Sequence, residues 1–84
     1  MEKALITSQK LIDVINLALD HDWKHKDCYC RVDSLKKVVI GERNWELSTH
    51  STGGHDLCRT DECTSLIQRV LSELATKYNV SWQE

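Results

Sequence analysis

Four cysteines and four histidines are the residues of this chain best equipped for chemistry, and they fall into two groups. The first is His21, His25, Cys28 and Cys30; the second is His50, His55, Cys58 and Cys63. Zinc takes thiolate and imidazole ligands tetrahedrally, so either group, or two donors from each, supplies a closed site. A shared site would draw on His25, Cys28, Cys30, His55, Cys58 and Cys63. Against this, Cys28-x-Cys30 is tighter than the usual zinc knuckle. Cys28 and Cys30 also share a strand face with Val32, and Cys63 lies on an apolar helical stripe, where cysteine behaves as a small hydrophobe. Buried thiols are therefore expected first, with structural zinc as the competing reading. A Cys58–Cys63 disulfide ranks below the thiols, because it would need oxidising conditions.

Catalysis draws less support. His55 and Cys58 stand close enough to pair as base and nucleophile. No third group with an orienting role accompanies them, and little chain is left to build a pocket. An enzyme is not expected. Gly53-Gly54 lacks the Lys-Ser/Thr that follows in a phosphate-binding loop.

Elements that would position these residues can be read from periodicity. The spacing predicts a helix over 8–23, with Thr7 or Ser8 as N-cap. Leu11, Ile12, Val14, Ile15, Ala18 and Leu19 recur at helical intervals, and Leu17 fits the stripe poorly. Residues 28–32 alternate as a strand, Asp33-Ser34 signals a turn, and Val38-Val39-Ile40 favours a second strand. Gly41 to Asn44 reads as a hairpin connection, and Trp45 to Thr49 as a third strand. Residues 50–60 form a polar loop of about eleven residues, long enough to suggest a functional role. A last helix begins at Thr60 or Asp61, its stripe running Cys63, Leu66, Ile67, Val70, Leu71, Leu74, Ala75 and Tyr78. Asn79 is expected as its left-handed C-cap. Val80 to Trp82 should be extended, adding an edge strand or folding Trp82 over the core. The fold class is α+β: α-β-β-β-α over residues 1–84 as one domain. Its three-stranded antiparallel meander carries both helices on one face.

Composition narrows the function. With 40% apolar and 29% charged residues, the chain is globular in type and does not resemble a disordered one. A net charge of −2 argues against bulk electrostatic binding of nucleic acid. The sign is uneven: residues 1–20 sum to −1, 21–43 to +2 and 44–84 to −3. No apolar run approaches the roughly 20 residues that span a bilayer, and the N-terminus lacks a signal pattern. No membrane association and a cytoplasmic location are expected.

These exclusions leave a small non-catalytic regulator or inhibitor, of the kind phages and mobile elements carry, that covers a surface on a larger protein. An acidic C-terminal half suits a partner with a basic surface. The expected contact residues are Gly53, Gly54, His55, Asp56 and Arg59, with Glu46 and Asp61 beside them. Trp82 joins them because tryptophan is enriched at binding hot spots. The α-β-β-β-α order is topologically similar to the double-stranded-RNA-binding domain, which makes a small nucleic-acid-binding domain one alternative. That family's last helix begins with basic residues, whereas this one begins with Asp61 and Glu62. A zinc-stabilised interaction module is the other alternative. A homodimer could form through an exposed strand edge.

Overall fold

The computed structural model describes residues 3–24, 28–40, 43–53 and 60–82. In chain order the elements are β1 (Ala4–Ile6), α1 (Ser8–Asp22), β2 (Tyr29–Ile40), β3 (Arg43–Gly53), α2 (Thr60–Ala75) and β4 (Tyr78–Val80). Among the described residues this is an α+β arrangement with two helices. The expected three-stranded meander is replaced by one long antiparallel hairpin, β2–β3, and a separate parallel pair, β1–β4.

Helix α1 starts where its cap requires. The Oγ1 of Thr7 accepts from the Lys10 amide at 3.2 Å, and the Thr7 carbonyl accepts the first helical bond, from Leu11, at 3.0 Å. The side-chain bond satisfies an amide that a bare helix end leaves unpaired. Trp23 ends the helix by turning extended, with its own amide still bonded to the Leu19 carbonyl. Leu11, Ile15 and Leu19, four residues apart, are fully buried. Leu17 is 70% exposed, so the residue that misfits the stripe is the one left outside.

In the hairpin, the expected turn at Asp33-Ser34 is continuous strand. Val32 pairs with His50 and Ser34 with Thr49, so Asp33 is passed over; Leu35 pairs with Leu47, so Ser48 is passed over on the other strand. Each skipped residue shifts the phase of the alternation, as a β-bulge does. The shift lets both Val32 and Leu35 pack toward the core, although strict alternation would put them on opposite faces. Strand β3 also runs on through Gly53, so residues 50–53 of the expected loop are strand.

Helix α2 buries Cys63, Ile67, Val70 and Leu71. Its end tightens: the amides of Thr76 and Lys77 bond back to the carbonyls of Glu73 and Leu74. Tyr78 and Asn79, expected as the last stripe residue and the C-cap, belong instead to β4. The reason is tertiary. Residues 78–80 pair in parallel with residues 4–6, closed by bonds from Ala4 N–H to the Lys77 carbonyl and from Ser81 N–H to the Ile6 carbonyl. Strand β1, so short and so far away in the chain, carries no local signal.

Both helices, the hairpin and β4 contribute to one apolar cluster centred on Leu11, Ile15, Leu19, Val32, Trp45, Ile67 and Val80. Two asparagines dress strand backbone at its margins. Asn16 of α1 gives Nδ2–H to the Val32 carbonyl at 3.1 Å and takes the Val32 amide on Oδ1 at 2.8 Å. Asn44 of β3 does the same for Val80 of β4, at 2.8 and 2.9 Å. In each case a side-chain amide stands in for a neighbouring strand and satisfies backbone groups that burial would otherwise leave costly.

The cysteines require a correction. Cys30 and Cys63, expected as thiols, form a disulfide between β2 and α2. The strand face and the helical stripe that were expected to bury them separately are pressed together, which brings their Cα atoms to 5.6 Å, within bridging range. Cys63 therefore pairs with Cys30 and not with Cys58.

Candidate functional site

The end of α1 and the start of α2 lie side by side and leave an open groove of about 860 Å³ between them. From the α1 side come His21, Asp22, Trp23 and Lys24. Helix α2 contributes Asp61, Glu62, Ser65, Leu66 and Arg69, which recur at helical spacing on the face beside its buried stripe.

A linked set of polar contacts shapes the wall. The His21 ring donates from Nδ1 to Asp22 Oδ1 at 3.0 Å; the carboxylate can only accept, so that nitrogen carries the proton. The Arg69 guanidinium donates to the other oxygen, Asp22 Oδ2, at 2.9 Å, tying α2 to α1. The hydrogen bond from His21 and the charge of Arg69 hold the Asp22 carboxyl below its ordinary value, against an opposing push from partial burial. The Trp23 indole is positioned by its N–H, which donates to the Cys28 carbonyl at 3.1 Å where β2 begins. Its ring and Leu66 are both half-buried and pack against the core, giving the groove apolar ground. Three carboxylates face two fixed cations, Lys24 and Arg69, and Arg69 is already engaged by Asp22. The groove is therefore acidic on balance.

Of the contact residues expected from sequence, Asp61 lines this groove. Glu46 sits on β3, 3.7 Å from Lys36 in an exposed ion pair. Gly53 ends β3. Trp82 is half-buried against the core, with its indole N–H given to the Asn44 carbonyl at 2.8 Å. Gly54, His55, Asp56 and Arg59 lie outside the described residues. So do three of the expected metal donors, His25, His55 and Cys58. Cys28 is buried, and Cys30 and Cys63 spend their sulfurs on each other. Among the described residues no three Cys, His, Asp or Glu side chains gather as a metal site. No helix among them is long and apolar enough to cross a membrane.

Sequence reasoning missed most of the groove. His21 entered only as a candidate zinc donor. Asp22 and Arg69 are 47 positions apart, and only tertiary packing pairs them. Comparison with protein-family models, with curated proteins and with solved structures found no match to this chain.

Proposed function

We propose that this chain is a non-catalytic protein-binding regulator or inhibitor that engages a basic segment of a larger partner in the groove between α1 and α2. The observation that supports it is the pairing of half-buried apolar ground, Trp23 and Leu66, with an excess of carboxylate on the surrounding wall. An arginine or lysine side chain has that composition in reverse. Its methylene stem covers apolar surface while its charged head stays in contact with water and acid. Trp23 offers a further face to the cation.

The test is a fluorescence titration of the protein with an acetylated arginine- and lysine-rich peptide, against a glutamate-rich control. Binding by the basic peptide alone is expected. Reversal of two wall charges, Asp61→Lys with Glu62→Lys, should weaken it about 10-fold, since exposed pairs contribute about 0.2–1 kcal/mol each. Equal affinity for both peptides, or indifference to the double reversal, would overturn the reading.

A further inference from the structure

The wall of the groove that belongs to α2 is tied to β2 by a covalent bond. In the first turn of this helix Asp61 and Glu62 are exposed, and Ser65 beyond them is exposed too. Cys63 is the first buried side chain of α2 among those described, and the next, Ile67, comes a full turn later. The Asp22–Arg69 contact is later still. The first turn of a helix has amides without intrahelical partners and frays readily unless something holds it. Here Cys63 is bonded to Cys30, which sits on β2 beside Val32 in the apolar cluster.

We propose that the Cys30–Cys63 disulfide is a redox latch on the groove: oxidised, it holds the first turn of α2 against β2, and reduced, it releases that turn and the carboxylates it carries. The chemistry is thiol–disulfide exchange with a dithiol reductant. One thiolate of the reductant attacks a sulfur of the pair, a mixed disulfide forms, and the second thiol resolves it. Two electrons and two protons pass to Cys30 and Cys63, which become thiols, and the reductant leaves as its own disulfide. The two cysteines are 2% and 0% exposed, so attack waits for the turn to lift. Once reduced, both thiols remain small apolar groups that the core tolerates, so loosening stays local.

This inference rests on the groove reading only for its consequence in binding, and one experiment separates the two. Amide hydrogen exchange is followed by mass spectrometry on the full chain, with and without dithiothreitol. The same samples are titrated with the arginine- and lysine-rich peptide. Reduction should raise exchange over residues 60–66, leave them exchanging at least 10-fold faster than residues 11–19 of α1, which follow only the global loss of stability, and weaken peptide binding at least threefold. The Cys30→Ala/Cys63→Ala variant should match the reduced protein and ignore dithiothreitol. Unchanged exchange over residues 60–66 after complete reduction would overturn the latch. So would equal exchange over residues 60–66 and residues 11–19 in the reduced protein or the variant, because both segments would then open only with the whole fold. A local change in exchange without any peptide binding in either state would support the latch and overturn the groove reading.

Discussion

At the scale of single residues, the structure is held by polar side chains that complete backbone hydrogen bonding where no strand is present to do so. Asn44 is the clearest case, meeting both the amide and the carbonyl of Val80. Asn44→Ala removes the partner and leaves two part-buried backbone groups unsatisfied, at a cost of about 1–3 kcal/mol. A lower urea midpoint with an unchanged slope would register that loss; an unchanged midpoint would show that water replaces the amide freely. Each tryptophan also gives its indole N–H to a backbone carbonyl: Trp23 to Cys28, Trp45 to Tyr78 and Trp82 to Asn44. Each ring packs against the core; Trp45 and Trp82 tie segments far apart in the chain, and Trp23 ties the end of α1 to the start of β2. Asp22 supplies a pH dependence. Its folded value lies below the ordinary 3.8, so the folded state binds its proton less readily than the unfolded state does. The stabilisation is therefore complete above the ordinary value and is lost as pH falls through the folded value. Thermal unfolding followed from about pH 5 down to about pH 2 should show the native protein losing a small advantage over Asp22→Asn across that acid range. Parallel curves for the two proteins would contradict the assignment.

At the scale of elements, the bond between β2 and α2 closes a loop with a sequence separation of 33. Chain-entropy reasoning gives such a loop about 4 kcal/mol of stabilisation, exerted mainly on the unfolded state. An 84-residue domain typically carries about 4–12 kcal/mol in total. Cys30→Ala/Cys63→Ala should therefore lower the unfolding free energy by about 4 kcal/mol in a denaturant titration and leave a folded chain at low temperature. A loss below about 1 kcal/mol would mean that the reduced chain is already constrained in its unfolded ensemble. The hairpin and the parallel pair are joined by side chains more than by ladder bonds. Asn44 and Trp45 reach β4 from β3, and Arg43 lies over the Trp45 ring at 6.0 Å from its centroid.

For the whole molecule, charge and shape act together in the proposed binding. The net charge is −2, and the acidic excess is concentrated after residue 43, where Asp61 and Glu62 enter the groove wall. Attraction between solvent-open charges is screened within about 8 Å at physiological salt. The affinity of the basic peptide should therefore fall as salt is raised from about 50 to about 500 mM, mostly through slower association. An affinity that holds constant over that range would point to apolar contact with Trp23 and Leu66 as the main contribution.

Periodic apolar residues determined both helices. Leu11, Ile15 and Leu19, like Cys63, Ile67, Val70 and Leu71, repeat within a few residues, and a helix buries whichever face such a repeat makes apolar. The Thr7 cap and the shared face of Cys28, Cys30 and Val32 were legible for the same reason, since each depends on near neighbours in the chain. Asp61 was the one residue of the groove visible in advance, through its place at the start of α2. Tertiary structure decided the rest. The two strands expected before and after Asp33-Ser34 run on as one, because pairing with β3 outweighs a local turn preference. Tyr78 and Asn79 leave the helix because β1, more than seventy positions earlier, offers them a parallel partner. The Cys30–Cys63 bond and the Asp22–Arg69 contact follow from how two helices settle on one hairpin, a relation between faces that no local pattern encodes.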